Sequence, residues 1–308
     1  MSDQYLWDRS GEPDPQIEAL ETKLQPLRWS NAPMIVRTRR RVTLWPLAAA
    51  AALVVLVAGT ALWVVRRQPE TAWQSADRRI RRGETLVTGD RSAMVLRADD
   101  VGEVEIAPRS VVRVLESSVN REKLELQRGT LRAFIWAPPT RFQVDTASSR
   151  AIDLGCRYTL AVDEKGSGLL QVEMGWVAFE YQGLESFIPA EAACRTARGR
   201  GPGIPFFMDA PETLRQDLAR WETAPAEPEL DAVLKASRPR DALTIWHLLA
   251  RVPQSDRAKV YDRLAALVDL RSVERARALQ LDPQAIDAAW DALHLQSSAW
   301  WREWKRRW

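Results

Sequence analysis

The chain has 308 residues, a formal charge of +3, a pI near 9.0 and two cysteines. That length accommodates about two folded domains. Acidic and basic residues are mixed throughout with no long basic stripe, which argues against nucleic acid as a partner. Two cysteines and two histidines set far apart argue against a metal site.

Residues 1–41 form a tail too short to bury a core of its own. Its start, YLWDRSGEPDP, is turn-rich. The segment DPQIEALETKLQPL then places Ile17, Leu20, Leu24 and Leu27 at helical spacing, one apolar stripe. Asp14 suits the N-cap and Pro15 the first helical position. A lone helix of this length is marginal in water. Its stripe therefore calls for a partner: another copy, a soluble protein or a membrane surface.

Residues 42–65, VTLWPLAAAAALVVLVAGTALWVV, carry no charge. About 20 such residues cross a bilayer as a helix, so a single transmembrane helix is expected here. Arg37, Arg39, Arg40 and Arg41 precede the run, and Arg66 and Arg67 follow it. Trp45 and Trp63 stand near its ends, where amphipathic rings favour the headgroup level. Pro46 falls in the first turn, where its missing N–H removes no helix bond. The run starts too far along the chain for a cleaved signal. The denser basic flank on its N-terminal side predicts a tail inside the cell and a body outside.

Residues 66–77 read as a linker. Residues 78–210 form a β region in which ten short alternating runs recur: ETLVT, AMVLRA, EVEIA, VVRVL, KLELQ, TLRAFIW, FQVDT, YTLAV, LLQVEM and WVAFEY. Gly, Asp and Asn punctuate them, which predicts a sandwich, a barrel or a solenoid. Residues 190–210 look loop-like. Cys156 and Cys194 lie beyond the membrane run, in a compartment where disulfides persist. Their even number fits one bridge, and equally two separate buried thiols.

Residues 211–308 turn helical, with helices expected near 212–223, 228–236, 240–251, 254–268, 272–280, 283–293 and 297–306. Pro239, Pro253 and Pro283 mark three of the starts. The end, AWWREWKRRW, places Trp300, Trp304 and Trp308 on one helical stripe. Docking onto the helical domain is the simplest use of that stripe; a membrane surface or a protein partner are the others.

The β region resembles the FecR-type periplasmic domain of bacterial cell-surface signalling proteins. Gly83, Leu86, Thr88 and Gly89 stand at the first element of the family pattern, and Gly102, Pro108 and Ser110 at the next. Gly129 and Leu131 lead to Phe142, Val144 and Thr146, then to Leu154, Gly155, Cys156 and Tyr158, and finally to Val172, Gly175 and Val177. The resemblance implies a β-helix-like domain outside the inner membrane. It also implies a cytoplasmic tail that holds an extracytoplasmic-function sigma factor, and a body that receives a signal from an outer-membrane protein. Cys156 stands where the family often has Thr and Tyr158 where Phe is usual, a change consistent with a subfamily disulfide. The tail is shorter than the usual anti-sigma domain and lacks the ligands of the zinc-binding kind. A helical domain replaces the usual receptor-contacting module.

No catalytic constellation emerges. His247 and His294 stand among leucines and read as packing or surface residues. Asp99-Asp100 and Asp163-Glu164 sit at strand turns, where Asp serves the backbone. Gly199–Gly203 lacks the Lys-Ser or Lys-Thr of a phosphate loop, and Gly166-Ser167-Gly168 is a hairpin signal. The expectation is a multi-domain membrane protein: one transmembrane helix, an all-β FecR-type domain of β-helix or solenoid form, and a C-terminal all-α domain. It is expected to be a signalling regulator with neither enzymatic activity nor a cofactor. Its expected partners are the lipid bilayer, a cytoplasmic sigma factor and a periplasmic or outer-membrane protein. The alternative is a membrane-anchored periplasmic scaffold with no sigma-factor role.

Overall fold

A computed structural model of the chain describes residues 15–27, 57–58, 73–76 and 78–295. The chain divides into two compact units, 1–63 and 64–308. In the first, helix α1 (Pro15–Leu24) runs into a 3-10 turn at Gln25–Leu27. The run 42–65 lies outside the described residues except for Val57 and Ala58. Among the described residues, no helix is long and apolar enough to cross a membrane.

The second unit opens with β1 (Trp73–Ser75), β2 (Arg78–Ile80), β3 (Thr85–Val87), β4 (Met94–Ala98), β5 (Gly102–Ile106), β6 (Val111–Ser118) and β7 (Arg121–Ile135). It continues with β8 (Phe142–Asp145), β9 (Arg150–Asp153), β10 (Arg157–Val162), β11 (Gly168–Met174), β12 (Trp176–Tyr181) and β13 (Leu184–Pro189). The strands β14 (Ala192–Ala197), β15 (Gly201–Pro202) and β16 (Phe206–Phe207) complete the β part. The helices follow: α2 (Glu212–Thr223), α3 (Glu227–Ala236), α4 (Ala242–Arg251), α5 (Arg257–Leu267), α6 (Arg275–Leu279) and α7 (Pro283–Asp291).

The strands make two sheets that share β7. One runs β2-β1-β4-β5-β7-β10-β11-β14, with β15 and β16 both on β14. The other runs β3-β6-β7-β8-β9-β12-β13. Residues 121–128 of β7 pair with β6 and β8, while residues 129–135 pair with β5 and β10. The strand changes sheets at Gly129, whose φ of +95° few other residues adopt. A side chain there would also meet Ser110, with a Cβ 2.2 Å from its Oγ. The Ser110 hydroxyl accepts from the Thr130 N–H at 2.9 Å, so the bend is pinned across the two strands.

This topology corrects the β-helix or solenoid expectation. Among the described residues, the β7–β8 ladder is parallel and every other ladder is antiparallel. Short turns reverse the chain, whereas parallel coils need wide crossovers. Gln182 and Gly183 form a two-residue hairpin with φ of 48° and 85°, matching the strand twist. Between the sheets lies one core, in which alternate residues of β5 (Gly102, Val104, Ile106) and β10 (Tyr158, Leu160, Val162) are buried.

Two boundaries also move. Trp73, in the stretch expected to be linker, is fully buried and packs edge-on against Phe142, with ring centres 6.0 Å apart. Its Nε1–H donates to Glu122 at 2.9 Å. The helices share one compact unit and one core with the strands, so position 210/211 separates two kinds of element without separating two cores.

Candidate functional site: an exposed helix stripe and a strand–helix seam

Helix α1 buries none of its residues. Leu20, Leu24 and Leu27 are 60%, 52% and 78% exposed, with Ile17 intermediate. The expected stripe exists as an open apolar face. The expected membrane anchors Arg39, Arg40, Arg41, Trp45, Trp63, Arg66 and Arg67 lie outside the described residues, as does the stripe of Trp300, Trp304 and Trp308.

The most elaborate chemistry lies where α4 meets β13. Apolar residues dominate ALTIWHLLAR, and α4 is buried from Ala242 to Leu249. His247 is buried in it, with Nδ1 2.9 Å from the Leu243 carbonyl. Its Nε2 accepts from the Phe187 N–H of β13 at 3.2 Å. A nitrogen that accepts leaves Nδ1 to carry the proton, so the ring is neutral. Burial drives its pKa down from 6.5 to about 3. Trp246, Trp290 and Phe187 flank the ring, Trp176 packs on Trp290, and Trp246 and Trp290 stand 4.7 Å apart in an edge-on pair.

Polar bonds fasten the same seam. Arg251 donates to the carbonyls of Glu185 and Pro202 at 2.9 and 3.1 Å and to the Ser186 hydroxyl at 2.9 Å. Thr244 Oγ1 donates to the Pro205 carbonyl at 2.8 Å. Arg240 pairs with Glu191 and with Asp209, the latter at 3.0 Å, and lies over the Phe207 ring.

The cysteines do not form a disulfide. Both are buried and free. In register, Cys194 of β14 faces Leu170 of β11, which faces Leu160 of β10. Cys156 precedes β10, four residues before Leu160. Two strand spacings and four residues of rise give roughly 16 Å, far beyond the reach of a bridge. The Cys156 thiol instead donates to Asp153 Oδ2, and Cys194 lies 3.4 Å from the Gly203 carbonyl.

Asp153 was not legible as a special residue. It is 1% exposed, its Oδ1 accepts from the Gly155 N–H at 2.7 Å, and burial raises its pKa from 3.8 to about 7. Tyr158 is buried in the same surroundings, and its hydroxyl has no hydrogen-bond partner among the described residues. Gly175 explains part of the crowding, because a Cβ there would lie 2.1 Å from the Gly155 carbonyl. Among the described residues, no group of three His, Cys, Asp or Glu side chains is placed to hold a metal ion. His294 is exposed in the segment after α7.

Residues 84–178 match the family model described as FecR protein, and the chain therefore carries a FecR domain. A candidate anti-sigma factor from Parabacteroides distasonis ATCC 8503, solved at 1.65 Å and at 2.50 Å, is 14% identical with a TM-score of 0.36. That similarity covers 46% of this chain and 65% of the other, so the chain spans just under two thirds of the solved relative's length. No curated protein matches the chain.

Proposed function

We propose that this chain is a transmembrane signalling regulator of the FecR type. In this reading residues 42–65 cross the bacterial inner membrane, the tail is cytoplasmic and the strand–helix unit is periplasmic. The observation that carries it is the FecR match over residues 84–178. The open stripe of α1 supports a partner on the tail, because an apolar face of Leu20, Leu24 and Leu27 suits a helix-in-groove contact. The proposed partner is an extracytoplasmic-function sigma factor, held and released without any bond being made or broken.

The test uses the tagged full chain recovered from the cells that make it. A sigma factor is expected at comparable abundance in the captured material. Leu20→Lys with Leu24→Lys should remove it: each buried leucine contributes about 2 kcal/mol, so together they account for about a thousandfold in affinity. Absence of any sigma factor, or its undiminished capture by the double variant, would refute the sigma-factor role and favour a scaffold.

A further inference from the structure

A cavity of about 430 Å³ opens at the seam between β13–β15 and the last turns of α2 and α4. Its size is that of a small-molecule site. Leu184, Ile204, Ala219 and Trp221 supply apolar wall. Arg195, Arg200 and Arg251 supply three guanidinium groups, and Glu222 the single carboxylate. All four residues line this one cavity. Glu222 Oε1 is already taken by the Ile204 N–H at 2.6 Å, in space left by the missing side chain of Gly203.

The arginines are not neutralised by ion pairs among the described residues. Arg200 donates to the Glu222 and Thr223 carbonyls at the end of α2, at 2.7 and 3.1 Å. Arg251 spends its donors on carbonyls and a hydroxyl. Arg195 lies over the Phe206 ring at 4.5 Å, and its buried Nη1 has no hydrogen-bond partner among the described residues. Arg195 and Arg251 are half-buried beside the one carboxylate, so positive charge in a partly desolvated wall is left for an anion to offset, while Arg200 is exposed at the rim.

We propose that this cavity binds a small organic acid, a carboxylate with an aromatic or short alkyl body. A carboxylate matches the planar fork of a guanidinium. The apolar wall accommodates the body. Glu222 opposes a second negative charge, which disfavours phosphate. The site stands independently of the regulator reading, because binding is measured without any cytoplasmic partner.

Calorimetric titration of the purified full chain in non-ionic detergent tests it, with phenylacetate, indole-3-acetate and hexanoate as probes. At least one should bind saturably at millimolar concentration, with phenylacetamide and inorganic phosphate weaker by about tenfold or more. Arg195→Gln should weaken binding by a similar factor while circular dichroism stays unchanged. Leu184→Trp, which keeps every charge and fills the cavity, should abolish it. Failure of all three acids, equal binding of phenylacetamide, or unchanged binding in the folded variants would overturn the proposal.

Discussion

Replacing His247 by glutamine removes a ring whose charged form the fold excludes. The ring is depressed from 6.5 to about 3, so between those values the unfolded chain holds a proton that the folded chain does not. The stability due to the neutral ring is complete above pH 6.5 and falls as pH drops below it, by roughly 3 kcal/mol by pH 4.5. Asp153 has the opposite sign. Its pKa is raised from 3.8 to about 7, so the folded chain holds the extra proton and stability falls as pH rises, by roughly 3 kcal/mol from pH 4.5 to 7. From pH 3.8 to 6.5 the two slopes cancel. Urea unfolding of wild type, His247→Gln and Asp153→Asn across this range separates them. The raised pKa of Glu222 is common to all three chains and drops out of the differences. Wild type minus His247→Gln should shrink by roughly 3 kcal/mol between pH 6.5 and 4.5, and wild type minus Asp153→Asn should grow by a similar amount. A pH-independent difference for His247→Gln would refute the buried neutral ring.

Trp290→Ala should cost about 3–5 kcal/mol, because it empties the centre of the aromatic cluster; thermal melting reads the loss. Gly175→Ala should destabilise the chain by about 2 kcal/mol or more, since φ is +78° and the new Cβ would strike the Gly155 carbonyl. Both thiols should resist a thiol reagent in the folded chain and react once urea unfolds it, and a reductant should leave the melting temperature unchanged.

What the sequence disclosed and what it hid follow one physical division. Between Thr85 and Tyr181 every strand but β9 was legible, most of them because one face is buried and the alternation is local; in β9 three consecutive residues are buried. The helices from Glu212 to Asp291 were legible for the same reason at a period of 3.6. Strand β7 read as two because Gly129 interrupts its alternation, yet hydrogen bonding runs through the bend. Strands β13 and β14 were hidden because consecutive residues are buried, which erases the period. His247 was hidden because its character depends on a distant partner; Phe187 stands 60 residues before the ring it donates to. Asp153 was hidden because burial sets its character, although its hydrogen-bond partners Gly155 and Cys156 are close in sequence.

The placement of α4 solves a problem that β13 creates. As the last strand of its sheet, β13 leaves alternate backbone groups without a strand partner, and such edges recruit other chains. Here the Phe187 N–H is taken by His247 and the Glu185 carbonyl by Arg251, both from α4. Pro189 has no N–H to satisfy. The two side chains sit four residues apart, one turn of helix, and meet backbone groups two residues apart on the strand. One turn rises about 5.4 Å and two strand residues span about 6.6 Å, so a helix lying along the edge can satisfy both groups at once. That match of spacings makes the helical segment a cover for the sheet edge, and it explains why a polar histidine and an arginine lie on the otherwise apolar face of α4.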